Sequence, residues 1–95
     1  MSKSYNTKEE LSYLEEMTKL IKLVDEFSKE MKTKLVKKLW DGYYGWDEPR
    51  FKQTIIHKLS DHTLKLYQGD NNQTGDIANL AAFLWKLNKE EEKMK

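Results

Sequence analysis

Apolar side chains recur in steps of three and four along residues 7 to 41: Leu11, Leu14, Met17, Leu20, Ile21, Val24, Phe27, Met31, Leu35 and Leu39. That spacing places them on one face of an α-helix. Thr7-Lys8-Glu9-Glu10 reads as a capping box, in which Thr and the Glu three positions on each satisfy an orphan N–H. No Gly or Pro interrupts until Gly42. A straight helix of about 33 residues is about 50 Å long, whereas a globule of about 100 residues has a radius of gyration of only about 13 Å. Either the helix breaks near Asp25–Ser28 or part of its stripe packs on another subunit, and the second is the expectation.

Gly42-Tyr43-Tyr44-Gly45-Trp46-Asp47 reads as an aromatic loop. Asp47 as N-cap and Pro49 in the first turn predict a second helix from about Glu48 to Gln68. Its inner face is Phe51, Ile55, Leu59, His62 and Leu66, and Gly69 is the stop signal. Turn formers fill 69–75. A third helix follows from Thr74 or Gly75 to Leu87, with Ile77, Leu80, Ala81, Phe83, Leu84, Trp85 and Leu87 covering much of its circumference. Residues 1–6 and 88–95 read as frayed tails of a single domain, 1–95. The class is all-α: three helices per chain, the first longest, a bundle completed by oligomerisation into a dimer or tetramer. The core expected is Leu20, Val24, Phe27, Leu35, Leu39, Ile55, Leu59, Ile77, Leu80, Ala81 and Leu84.

Composition narrows the function classes. Seventeen Lys/Arg against 16 Asp/Glu give a net charge of +1, which disfavours long nucleic acid as a partner. Cys is absent, which excludes thiol catalysis and thiolate metal sites. The start carries no apolar signal segment, and the longest apolar stretch, Leu80–Trp85, is far short of the roughly 20 residues of a membrane span. A cytoplasmic protein is expected. No Walker A loop, GxGxxG or nucleophile elbow is present.

Three groups of residues could carry chemistry. Asp61, His62, Lys58 and Lys65 lie mid-helix; they are either a solvated Asp61–Lys65 pair beside a half-buried His, or a polar site for phosphate or metal. Asp76 suits the first turn of the third helix, while Asn79 lies in an otherwise apolar setting and needs a hydrogen-bond partner. The third group is charge and rings together. Residues 29–65 hold nine Lys/Arg against five Asp/Glu, Lys38 among them, next to Tyr43, Tyr44 and Trp46. Rings that stack on a base beside lysines that neutralise phosphate would suit a nucleotide, although the same rings could simply close the core at the helix 1–helix 2 corner.

Residues 31 to 87 resemble the MazG-like all-α nucleoside triphosphate pyrophosphohydrolases, especially short phage-type versions. The resemblance rests on Met31–Leu35 running into Trp40, on Gly45-Trp46-Asp47, on Ile55-Ile56-His57-Lys58-Leu59, and above all on Gly75-Asp76-Ile77-Ala78-Asn79-Leu80-Ala81-Ala82-Phe83-Leu84-Trp85. It implies a pyrophosphohydrolase whose Mg²⁺ is held by a Glu-Glu-x-x-Glu motif on one helix and a Glu-x-x-Asp motif on the next. Here Asp61, His62 and Lys65 occupy the first motif, and Gln73 and Asp76 the second. Two of five carboxylates remain, and Lys65 repels a cation.

Three functions stay open. The first is a catalytically degenerate nucleotide-binding protein that sequesters a nucleotide or nucleotide-derived signal, as phage counter-defence proteins do; Lys38, Trp46, Lys58, His62, Lys65 and Asn79 would bind it. The second is a hydrolase with an altered site: Asp61 and Asp76 would hold Mg²⁺ or Mn²⁺, and Asp61, His62 and Asp76 would be catalytic. The third is a helical protein-interaction module that uses the first-helix stripe.

Overall fold

The computed structural model describes the backbone of residues 7–94 and the side chains of residues 10–94. It contains three helices: α1 (Thr7–Trp40), α2 (Lys52–Tyr67) and α3 (Thr74–Lys93). Single 3₁₀ turns at Pro49–Phe51 and Asn71–Gln73 lead into α2 and α3. Among the described residues there is no strand, so the fold is all-α. No helix among them is long and apolar enough to cross a membrane. The Thr7 side chain of the expected capping box lies outside the described residues, as do residues 1–6 and Lys95.

Glycine ends two of the helices for a stated reason. At the end of α1, Gly42 takes φ +90°; its N–H reaches Leu39 O at 3.0 Å and that of Tyr43 reaches Lys38 O at 2.9 Å. At the end of α2, Gly69 takes φ +107°, with Gly69 N–H on Leu66 O and Asp70 N–H on Lys65 O, both 3.0 Å. This paired closure satisfies the last carbonyls and needs a left-handed residue, which glycine supplies without a Cβ clash.

The start of α2 differs from the sequence expectation. The residue before the 3₁₀ turn is Glu48, with extended backbone, and its side chain makes no cap bond but pairs with Arg50 Nε at 2.6 Å. Pro49 fixes the turn one residue later than Asp47 would have. The end of α3 differs as well: the helix continues through Lys93 rather than stopping at Leu87. Residues 88–93 contain no breaker, and Lys86–Glu90 at 2.9 Å and Lys52–Glu91 at 3.0 Å tie this stretch down.

α3 is the central element, packed on α2 along one side and on α1 along the other. The buried apolar side chains among the described residues are Ile55, Leu80 and Leu87, with Leu59, Phe83 and Leu84 packed around them. The inner face expected for α2 is the one observed: Phe51, Leu59, His62 and Leu66 are half-buried and Ile55 is buried. Phe27, Leu35, Ile77 and Leu84 are half-buried too. Four expected core residues are not in the core of the single chain. Leu20 and Val24 are 61% and 64% exposed, and Leu39 and Ala81 are exposed as well. For Leu20 and Val24 the reason is length. The 34 residues of α1 span about 51 Å and the 20 of α3 about 30 Å. α1 therefore meets α3 through its second half only, at Phe27, Met31, Lys34 and Leu35, and every side chain from 10 to 26 is exposed.

Where α1 crosses α3 the contact is close. Gly75 is buried, and a Cβ there would fall 2.6 Å from Lys34 Cδ. Asn79, one turn later, donates from Nδ2 to Met31 O on α1 at 3.2 Å. The missing side chain at 75 and the amide at 79 together set the crossing beside the cleft described next.

Candidate functional site

A cleft of about 870 Å³ opens where the end of α1, the 42–48 loop, the first half of α2 and the start of α3 converge. The loop supplies its aromatic wall. Trp46 stacks on Phe83 of α3, with ring centroids 4.8 Å apart and planes 17° apart. Gly45 makes this approach feasible. It holds φ +95°, which a side chain would resist, and its Cα side faces the Phe51 ring, where a Cβ would sit 3.5 Å from Cε2.

Two lysines flank a second ring. Lys38 Nζ lies 5.1 Å, and Lys58 Nζ 5.9 Å, from the centre of Tyr43. The negative ring face attracts both ammonium groups, so a ring exposed at the rim gathers positive charge from α1 and α2. Asp47, Glu48 and Asp76 also line the cleft. Three carboxylates against two lysines leave its wall near neutrality rather than strongly basic.

The floor carries the most informative atom. Asn79 is 5% exposed. Its nitrogen is committed to Met31 O, which can only accept, so the amide orientation is fixed. Its Oδ1 is buried with no donor, although Asn79 lines the cleft. Buried carbonyls of this kind are normally paired, because leaving one bare costs roughly 1–3 kcal/mol. Oδ1 is closed off from the open cleft in this arrangement, so a ligand N–H or O–H reaches it only if the wall around Asn79 gives way.

His62 also lines the cleft, and a relay from the 69–73 turn orients it. Its Nδ1 donates to Gln73 Oε1, which can only accept. Gln73 Nε2 in turn donates to Asp70 Oδ2 at 2.7 Å. The amide of Gln73 is thereby locked, and in the neutral ring Nε2 of His62 is left as the acceptor. Asp70 anchors the chain. The Asn72 backbone N–H, 3.1 Å from Oδ1, then the Gln73 amide and the charge of Lys65, hold its carboxyl below the ordinary range.

Six residues expected at a nucleotide or catalytic site therefore lie around one cleft: Lys38, Trp46, Lys58, His62, Asp76 and Asn79. Asp61 and Lys65 do not line it. They form an i,i+4 pair at 3.4 Å on the exposed face of α2. The spacing that carries Lys58 and His62 inward turns Asp61 and Lys65 outward, because neighbouring positions on a helix point about 100° apart. This bears on the metal. Mg²⁺ takes several hard oxygen ligands in near-octahedral geometry. Asp61 is committed to Lys65 away from Asp76, and among the described residues no three His, Asp or Glu side chains gather closely enough to hold an ion. The donor set does not fit the Mg²⁺ or Mn²⁺ site that the resemblance implies.

Sequence reasoning missed Phe83 and the Asp70–Gln73 relay as parts of the site. Phe83 looks like any core position of an apolar helix. Gln73 is eleven residues from His62, and only the turn between α2 and α3 brings them together. The chain matches no protein-family profile, no curated protein and no solved structure.

Proposed function

We propose that the cleft binds a nucleotide or nucleotide-derived molecule of low phosphate charge and holds it without cleaving it. The observation that carries this reading is the meeting, in one cleft, of a stacked Trp46–Phe83 wall, two lysines and the unpaired buried Oδ1 of Asn79. The rings offer a face to a base, and stacking of that kind contributes about 1–3 kcal/mol per base. Asn79 Oδ1 takes an N–H of the base or a hydroxyl of the sugar. Lys38 and Lys58 meet the phosphate. Asp47, Glu48 and Asp76 oppose any large negative charge, so a monophosphate or a cyclic nucleotide suits the wall better than a triphosphate. The volume falls within the range of about 300–1,000 Å³ usual for small-molecule pockets. Sequestering a signal, as phage counter-defence proteins do, is an analogy of fold and chemistry.

The test is calorimetry and thermal shift with nucleoside mono- and triphosphates and cyclic nucleotides, each with chelator and with Mg²⁺. The expected result is binding of a monophosphate or cyclic ligand that survives chelation, with the ligand recovered intact. Divalent-dependent release of pyrophosphate would replace this reading with the hydrolase. No binding at all would favour the interaction module, which the bare apolar stripe of α1 supports independently.

A further inference from the structure

The first half of α1 is an amphipathic helix, and among the described residues nothing lies against its apolar face. Leu14, Met17, Ile21 and Val24 are between 43% and 64% exposed. They continue, at seven-residue spacing, the positions Ser28, Met31 and Leu35 that approach α3. Six of these seven positions are apolar, Ser28 being the exception, and apolar residues at heptad spacing are the pattern of a helix–helix seam. In the second half of α1 that seam is partly covered by α3, and in the first half it is bare. Apolar exposure also recurs at the other end of the helix, where Val36 and Leu39 are 55% and 61% exposed at the edge of the cleft.

The charges choose the occupant. Residues 10–26 hold five Asp/Glu against two Lys, a balance of −3, and residues 29–41 hold five Lys against two Asp/Glu, a balance of +3. The helix is thus complementary to itself in one orientation only. Parallel pairing would set acid against acid and base against base. Antiparallel pairing sets each acidic half on the basic half of the other chain, and it also opposes the helix dipoles favourably. We infer that two copies of this chain pair antiparallel through α1, Leu14 of each opposite Val36 of the other, so that the Leu11–Leu14 turn of each lies along the Val36–Leu39 edge of its partner. Because that edge belongs to the cleft, the partner chain forms the part of its wall that the single chain leaves open. The apolar surface bare in one chain becomes the main core of the pair, which suits a domain with only three buried apolar side chains among its described residues. The inference is independent of what the cleft binds.

The test uses the full chain and light scattering during size-exclusion chromatography. The expected mass is two chains, or a multiple of that pair. Glu15→Lys/Glu16→Lys and Lys32→Glu/Lys37→Glu alter exposed residues only. Each variant alone should lose the pair, and mixing the two should restore it. The native chain has no Cys, so single cysteines report orientation directly. Leu14→Cys and Val36→Cys, co-expressed, should form a disulfide between them, and neither should link to itself. A folded monomer as the native species would overturn the inference. So would self-linking of Leu14→Cys, or an oligomer in which 14 and 36 never link.

Discussion

Asn79 shows how much one side chain decides here. Its nitrogen ties α3 to α1, and its buried oxygen has no donor. An apolar group of similar shape loses one hydrogen bond, about 0.5–1.5 kcal/mol, but also removes the unpaired oxygen, and the Met31 carbonyl it leaves lies inside the α1 helix ladder. Asn79→Leu should therefore change the unfolding free energy by no more than about 1 kcal/mol, measured in urea. The same variant should weaken nucleotide binding by roughly tenfold or more, the equivalent of a lost hydrogen bond of about 1.4 kcal/mol. Asp70 gives a pH prediction. Its folded carboxyl titrates below the ordinary value of an aspartate, first because of the Asn72 N–H and then because of Gln73. The ionised form is thus the one that folding favours. The stability it confers is present above its unfolded value and disappears as pH falls through the lower folded value. Asp70→Asn should lose stability at about pH 6 and little at about pH 3, so its urea midpoint should converge with that of the native chain on acidification. His62 and Asn79 were legible in the sequence because each is a polar residue on an apolar helical face. Asp61 and Lys65 were misplaced because adjacency in sequence to His62 is not adjacency in space.

Glycine punctuates the elements, and its effect can be measured. Gly69 sits at φ +107° and closes α2 through Asp70 N–H to Lys65 O. An Ala there meets no neighbouring atom within 4 Å, so the cost is conformational alone. Gly69→Ala should destabilise by about 1–2 kcal/mol, read as a lowered thermal midpoint. The ends of α1 and α2 were legible because glycine in the left-handed region is the usual way to stop a helix. The start of α2 was not, because Pro49 and the Glu48–Arg50 pair impose a 3₁₀ turn that no spacing rule announces. The end of α3 was read short because the charged run after Leu87 resembles a tail, yet its ion pairs and good helix formers carry the helix six residues further.

The whole chain is extended. Its radius of gyration is 18.1 Å, against about 12 Å for a compact chain of this length, and its dimensions are 53 × 39 × 26 Å. The excess lies in the half of α1 that outruns α3. The sequence already posed this as a choice between a broken helix and a stripe shared with another subunit. The helix is unbroken from Thr7 to Trp40, which leaves the stripe bare in the single chain. If that stripe is the seam of a pair, folding and association are linked, and the thermal midpoint should rise with protein concentration. A midpoint independent of concentration would mean that the single chain is stable with its stripe in water. The all-α class and the order of helices were legible from periodicity. The burial of Leu20, Val24 and Leu39 was not, because periodicity identifies an apolar face without saying which chain covers it.

The central claim is that a nucleotide enters the cleft between Trp46, Lys58 and Asn79. The most direct measurement is a nuclear magnetic resonance titration of the labelled chain with a nucleoside monophosphate or cyclic nucleotide, in chelator, following the Trp46 indole N–H and the Asn79 side-chain amide. Both signals should shift saturably and together, with Phe83 and His62 shifting beside them and Asp61 and Lys65 unmoved. Shifts confined to the Asp61–Lys65 face, or spectra unchanged by every ligand, would contradict it.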